Sequence, residues 1–322
     1  MIPPKDDLTV CFAHVAYSFQ EKFAKRQPRI QCFQVWTRDE LDRRLGDFDV
    51  LVISGLWRNE LAEKAARLRF IQSIGAGTDQ FGRDVLTAKG IQLASATGVN
   101  VKAVSDHAMA LILALARRLP EARDNQARHH WRGMISDLTL REDELSGKTL
   151  LIVGLGKIGG RLASLAKAFD MHVIGVRRDP SSGKGGADSV HPLADLSSLL
   201  PQADIVALTC PLTKETENLI GADALGRMKK SGYLINVARG RIVDEAALID
   251  AMRAGRIAAA AIDVTPEEPL PAGSPLWDLP NTFITPHTGG ETRRYEDNVI
   301  DILEDNLQRL WSGEMNLRNQ IL

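Results

Sequence analysis

The chain has 322 residues, of which 44% are hydrophobic and 25% charged, with 40 Lys and Arg against 41 Asp and Glu. That length leaves room for two cores, since single domains usually hold about 100–200 residues, and the composition excludes a disordered or fibrous chain. The near-zero net charge supplies no positive field for nucleic acid or an anionic membrane, so a small molecule is the expected partner. In chain order, β-like runs at 8–15, 49–53, 70–74 and 91–94 alternate with helical stretches, which points to a parallel α/β sheet. Asn100 can cap a helix whose apolar residues Val101, Val104, Ala108, Leu111 and Leu115 recur at three and four. Because 108–116 is apolar nearly all round, this helix is expected to be buried between domains or against a second subunit. From Lys148 the alternation restarts, with strands expected at 150–153, 172–176, 204–209, 233–237, 259–264 and 282–285, as in a complete doubly wound sheet. After His287 comes one amphipathic helix with the stripe Tyr295, Val299, Ile302, Leu303, Leu307 and Leu310, expected to return to the first domain.

Other features set the compartment. Cys11, Cys32 and Cys210 are isolated, giving neither a disulfide framework nor a metal-ligand spacing, so no metal is expected. The start, Met1-Ile2-Pro3-Pro4-Lys5-Asp6-Asp7, lacks the pattern of a secretory signal, and the longest apolar run falls far short of the roughly 20 residues of a membrane span. A reducing cytoplasm is the expected location.

Residues Gly154-Leu155-Gly156-Lys157-Ile158-Gly159 follow an apolar strand and open a helix-like segment. In that setting the first glycine permits a tight turn, the second lets backbone approach a pyrophosphate, and the third lets helix and strand pack closely. The helix N-terminus then faces the phosphates with free amides and the positive end of its dipole. The second strand of this unit ends in Arg177-Arg178, where dinucleotide sites selecting NAD usually carry a carboxylate for the ribose 2′-hydroxyl. A guanidinium holds a 2′-phosphate by charge-assisted hydrogen bonds, so NADP(H) is favoured, with Asp179 leaving NAD(H) open if the turn is shifted.

Three later strand ends each offer one group suited to reducing a keto acid. Arg239 follows the strand in Asn236-Val237-Ala238-Arg239-Gly240, where open α/β sheets place ligands, and its planar fork suits a carboxylate and an adjacent carbonyl. Two carboxylates follow the next strand in Asp263-Val264-Thr265-Pro266-Glu267-Glu268-Pro269, and a histidine follows the last in Thr285-Pro286-His287-Thr288-Gly289-Gly290. Histidine is the side chain nearest to neutrality for giving a proton to a developing alkoxide, and a carboxylate on its other nitrogen would fix its tautomer.

With these motifs in order, the chain resembles the D-isomer-specific 2-hydroxyacid dehydrogenase family, glyoxylate/hydroxypyruvate reductases among them. The likeness covers nearly the whole sequence and includes Pro211-Leu212-Thr213-Lys214-Glu215-Thr216 and the run from Met228 to Leu248. It implies that Arg239 binds the substrate carboxylate and keto oxygen, that His287 is the acid/base, and that Glu268, immediately before its proline, orients it. It further implies that Asp263 meets the nicotinamide carboxamide and that Pro211, Val237 and Ala238 line the cofactor groove. The substrate loop would be Ile74-Gly75-Ala76-Gly77, with the amides of Gly75 and Ala76 on the carboxylate.

Two departures from the family pattern, Val104-Ser105-Asp106 for Val-Ala-Glu and Thr288 for an apolar residue, leave the substrate side chain open. His129 and His130, beside Trp131 and Arg132, read as surface or interface residues. The expected architecture is two Rossmann-like doubly wound parallel-sheet domains: a discontinuous substrate domain, 1–99 and 290–322, and an inserted dinucleotide-binding domain, 100–289. The resemblance implies a homodimer and a small 2-keto acid or D-2-hydroxy acid as substrate, of the glyoxylate or hydroxypyruvate kind. A dinucleotide-sensing, corepressor-like binding protein with little turnover is the rival reading.

Overall fold

The computed structural model describes residues 2–314 and 316–322; Met1, named above with the chain start, lies outside them. The chain divides into two compact units, Met1–Asn100 with Thr292–Leu322, and Val101–Glu291. Each is an α/β unit with one parallel sheet.

The first unit carries β1 (Thr9–Ala13), β2 (Gln31–Val35), β3 (Val50–Ile53), β4 (Phe70–Ser73) and β5 (Gln92–Ala94), in the order β2-β1-β3-β4-β5. Its central strands are buried on both faces because helices cover both, as a parallel sheet requires. On one face Val10, Phe12, Val50, Val52 and Phe70 meet Val299, Ile300, Leu303, Leu307 and Leu310 of helix Tyr295–Trp311. That helix is also pinned by a buried polar pair, Asn306 Nδ2 donating to Gln72 Oε1 at 2.9 Å. The last residues guard the open edge of β5, Ile321 N–H donating to Leu93 O at 2.8 Å and Ser95 N–H to Asn319 O at 3.0 Å.

The second unit holds β6 (Thr149–Val153), β7 (His172–Val176), β8 (Ser189–His191), β9 (Ile205–Leu208), β10 (Tyr233–Asn236), β11 (Ala259–Ile262) and β12 (Thr282–Ile284). The sheet order is β12-β11-β10-β9-β6-β7-β8. Its direction of winding reverses between β6 and β9, and the crevice outside the strand ends at such a switch point is where open α/β sheets bind ligands.

Two strands, β2 and β8, go beyond the sequence reading. Both lie at sheet edges and neither is fully buried, so neither carries the apolar run that marks a central strand. Helix Val101–Ala116 corrects an expectation: its apolar residues, Ala108, Leu111, Ile112 and Leu115 among them, are buried in the core of the second unit with Leu150, Ile152, Leu162 and Ile235. The helix lays most of its apolar residues on its own sheet and the adjoining helix, with Ala110 exposed and Leu113 half-buried. Among the described residues, no helix is long and apolar enough to cross a membrane.

Candidate active site

The glycine loop opens directly from β6. Gly154 has φ +106°, and a Cβ there would lie 2.4 Å from the backbone nitrogen of Cys210, so the turn tolerates neither another residue's backbone preference nor its side chain. A Cβ on Gly159 would lie 2.5 Å from Gly154 O, which shows how tightly the following helix sits on the strand. Gly156 faces open space and is exposed. The loop is held by Gly154 N–H and Leu155 N–H donating to Val176 O (2.8 and 3.0 Å) and by Thr209 Oγ1 donating to Gly154 O (2.8 Å). In helix Lys157–Lys167, the amides of Lys157, Ile158 and Gly159 precede the first helical turn's bond, Gly160 N–H to Gly156 O at 2.8 Å. A tight first turn, an open second glycine and a free helix N-terminus fit the pyrophosphate of a dinucleotide.

Beyond β7 the two arginines separate. Arg177 is half-buried, and its Nη1 donates to Ser182 O (3.2 Å) and Gly183 O (3.1 Å), so it struts the loop that follows. Arg178 is exposed, with Glu215 as a nearby charge. Asp179 is engaged locally, accepting from Ser181 N–H (3.0 Å), Ser181 Oγ (2.6 Å) and Ser182 Oγ (2.7 Å); these bonds hold its carboxyl below the usual range. After β9, Pro211 is exposed, and its carbonyl accepts from the buried Thr216 hydroxyl at 2.7 Å, which folds the Pro211–Thr216 segment into a turn. Val237 and Ala238, after β10, are buried.

The ends of β10, β11 and β12 carry the three side chains that the sequence singles out, Arg239, Glu268 and His287. Buried Asn236 closes the turn after β10, its Oδ1 accepting from Ala238 N–H and its Nδ2 donating to Arg239 O, both at 3.1 Å. Arg239 Nη1 donates to Ala238 O (2.6 Å) and the residue is otherwise exposed. Gly240 permits a close approach that sequence reasoning missed: a Cβ there would lie 2.0 Å from the carbonyl carbon of Thr265, so the turn bearing Arg239 abuts the one bearing Glu268. Glu268 Oε1 accepts from Thr265 N–H at 3.0 Å, and its Oε2 lies 2.7 Å from His287 Nδ1. A carboxylate oxygen only accepts, so Nδ1 carries the hydrogen in this pair and Nε2 faces away from it. Glu267 offers its carbonyl, which accepts from Thr265 Oγ1 at 2.6 Å, while the side chain on His287 belongs to Glu268.

His287 has φ +54°, an unusual conformation for a side-chain-bearing residue, and Asp263 stabilises it. Asp263 is 3% exposed; its carbonyl accepts from His287 N–H (2.8 Å), and its carboxylate accepts from Thr285 Oγ1 (2.6 Å), Thr288 N–H (3.0 Å) and Gly289 N–H (3.0 Å). Burial pushes this carboxyl up, but the neighbouring His107 ring and hydrogen bonds from Thr285 and Gly289 outweigh it and keep the group below the usual aspartate range. The sequence marked Asp263 without its role as anchor of the histidine loop, and it gave no sign of His107 or Thr285. Of the two departures from the family pattern, Asp106 keeps a carboxylate facing Arg161 Nη2 (2.6 Å), and Thr288 contributes its amide to Asp263.

In the first unit, the Ile74–Gly77 turn follows β4. Half-buried Tyr295 donates its hydroxyl to Ile74 O at 2.7 Å, and desolvation holds that phenol up at about 12. The amide of Gly75 meets Ser73 Oγ at 3.2 Å, whereas Ala76 is exposed and neither its amide nor that of Gly77 has an acceptor among the described residues. His129 and His130 are exposed beyond helix Leu119–Ala127, in a segment outside the strand-end loops.

Residues 109–289 match the family described as D-isomer specific 2-hydroxyacid dehydrogenase, NAD binding domain. The chain is 36% identical over 283 residues to a D-3-phosphoglycerate dehydrogenase of Methanocaldococcus jannaschii, covering 87% of this chain but only 53% of that protein. It thus spans about half the length of that relative. It is 38% identical over 258 residues to glyoxylate/hydroxypyruvate reductase B of Pectobacterium carotovorum subsp. carotovorum, covering 80% of each chain. The crystal structure of a D-isomer specific 2-hydroxyacid dehydrogenase family protein from Aeromonas salmonicida subsp. salmonicida superposes with a TM-score of 0.85 at 29% identity, over 98% of this chain and 99% of the other. With a dinucleotide cradle, a strand-end arginine and a histidine–glutamate pair set on a matching fold, the chain belongs to the D-isomer specific 2-hydroxyacid dehydrogenase family.

Proposed function

We propose that the protein is an NAD(P)-dependent oxidoreductase that interconverts small 2-keto acids and D-2-hydroxy acids. The observation that carries this reading is the 2.7 Å pair between His287 Nδ1 and Glu268 Oε2, in the same unit as the glycine cradle. When bound, the nicotinamide supplies the hydride for the keto carbon. His287 holds a proton on Nε2 and gives it to the oxygen on which the negative charge develops. Glu268 accepts the hydrogen bond from Nδ1–H, orients the ring and steadies its positive charge before the Nε2 proton is given up. Arg239 pairs with the substrate carboxylate through its planar fork and polarises the keto oxygen. The turn Ile74-Gly75-Ala76-Gly77 is assigned to the carboxylate too, with Ala76 and Gly77, whose amides have no acceptor among the described residues, as its donors and Gly75 turned to Ser73. Asp263 Oδ2, which takes only the Gly289 amide among the described residues, is assigned to the carboxamide.

NADP(H) is the favoured cofactor. Arg178 is free to meet a 2′-phosphate and Asp179 is spent on its own serines. A substrate of the glyoxylate or hydroxypyruvate kind is supported by the mutual 80% coverage with a reductase of that name. A homodimer is supported by a segment that exposes Trp131 (96%), Met134 (104%) and Leu138 (74%) within a few residues, more apolar surface than an isolated chain usually leaves in one stretch. The test is a panel of 2-keto acids assayed with NADPH and NADH. Oxidation of NADPH with glyoxylate or hydroxypyruvate is the expected result; dinucleotide binding without turnover on any keto acid would overturn it in favour of a sensing protein.

A further inference from the structure

His107 stands on helix Val101–Ala116, outside every motif that marks the site, yet its ring reaches the loop of His287. Its Nε2 lies 3.0 Å from Thr285 Oγ1 and 3.3 Å from Asp263 Oδ1. The hydrogens in this cluster can be assigned by elimination. Thr285 has one hydroxyl hydrogen, and it is committed to the Asp263 carboxylate at 2.6 Å. The contact with His107 therefore runs the other way: the imidazole Nε2–H donates and Thr285 Oγ1 accepts. Gly289 completes the packing, because a Cβ there would lie 2.7 Å from Asp263 Oδ2 and 3.0 Å from the His107 ring.

Asp263 holds the loop on both sides of His287, with its carbonyl on the His287 amide and its carboxylate on Thr285, Thr288 and Gly289. A buried carboxylate is costly unless donors surround it, and the His107 ring is the one basic side chain that reaches it among the described residues. We propose that His107 is a positioning residue for the reaction, donating from Nε2 into the Thr285–Asp263 pair and so fixing the loop that aims His287 at the substrate. This rests on the reading of His287 as the proton donor. The effect of His107 passes through the angle of the His287 ring.

The test compares His107→Leu, which removes the donor, with His107→Gln, whose amide nitrogen reaches nearly the same place. In His107→Leu, kcat for keto-acid reduction is expected to fall about 10- to 100-fold, the scale of a misplaced catalytic group. The Kd for NADPH should change less than about threefold, since pyrophosphate and ribose contacts lie elsewhere. His107→Gln should recover most of kcat. Thr285→Val, which keeps shape and loses the hydroxyl, guards against a leucine variant that fails to fold; it should show the same loss, and combining it with His107→Leu should add little.

Ring nitrogen spectra of the 15N-histidine-labelled protein supply a readout independent of turnover. His107 should carry its hydrogen on Nε2, and the His287 signals should move in His107→Leu and return in His107→Gln. Equal kcat loss in the leucine and glutamine variants, unmoved His287 signals, or a neutral His107 ring with its hydrogen on Nδ1 would each overturn the proposal. Absence of keto-acid turnover in the wild type would overturn the proposed function instead, while the spectra would still read the network.

Discussion

Each unit of this protein runs a buried parallel strand into a glycine-containing turn, β4 into Ile74-Gly75-Ala76-Gly77 and β6 into Gly154-Leu155-Gly156. The first turn leads to no long helix; the next one, Arg83–Ala88, is six residues and starts well downstream. The second feeds at once into the eleven-residue helix Lys157–Lys167. Both expose backbone amides, but only the second adds a helix dipole and a full turn of free N–H groups, which is what a pyrophosphate needs. The first has just the amides of Ala76 and Gly77 without an acceptor among the described residues. The strand ends of the two sheets differ in the same way: β10, β11 and β12 lead into Arg239, Glu268 and His287, while β4 presents main chain. The same architecture thus presents ionisable side chains at the strand ends of one unit and main chain at those of the other.

That contrast can be broken at chosen points. The largest effect is expected at His287→Ala, where turnover should drop roughly 100- to 10,000-fold with dinucleotide affinity retained, the range for loss of a positioned general acid. Steady-state rates beside a binding titration measure it, and near-native turnover at neutral pH would remove His287 from the chemistry. Arg239→Lys should lower kcat/KM by about 100-fold or more although the charge survives, because an ammonium cannot hold a carboxylate and a carbonyl in one plane. Wild-type kinetics in that variant would make Arg239 an ordinary surface cation.

Smaller effects probe the cofactor side and the glycine turns. Arg178→Ala should weaken NADPH by about 10- to 100-fold and leave NADH nearly unchanged, the loss of one or two charge-assisted bonds to a phosphate. Equal weakening of both cofactors would show that the residue does not read the 2′-phosphate. Gly154→Ala should cost at least about 2 kcal/mol of stability and disable dinucleotide binding, since the added methyl meets the Cys210 backbone at a left-handed φ. Gly75→Ala is the control: its Cβ would find ordinary contacts at 3.6 Å or more, so the melting temperature is expected to move by less than about 3 °C. A large loss at Gly75, or none at Gly154, would show that the two turns are not distinguished by backbone strain.

Periodicity and chain order were sufficient for two parallel α/β sheets, the glycine loop and the three strand-end side chains, because those features depend on spacing along the chain. The edge strands β2 and β8 escaped, since strands without a fully buried face lack the apolar run that gives a strand away. Helix Val101–Ala116 was legible as a buried helix but not as a component of its own unit's core, because an apolar stripe records that something covers it and not what. Arg177 and Arg178 are indistinguishable in sequence; the fold turned one onto the Ser182 and Gly183 carbonyls and left the other exposed. The network of His107, Asp263 and Thr285 brings together residues far apart in the chain, joined by hydrogen bonds of 2.6 and 3.0 Å. Hydrogen bonds have a direction and a reach of about 3 Å, and one sequence without its fold specifies neither for groups on separate elements; only the packing of the helix against the strand ends decided which histidine would hold the loop of the other.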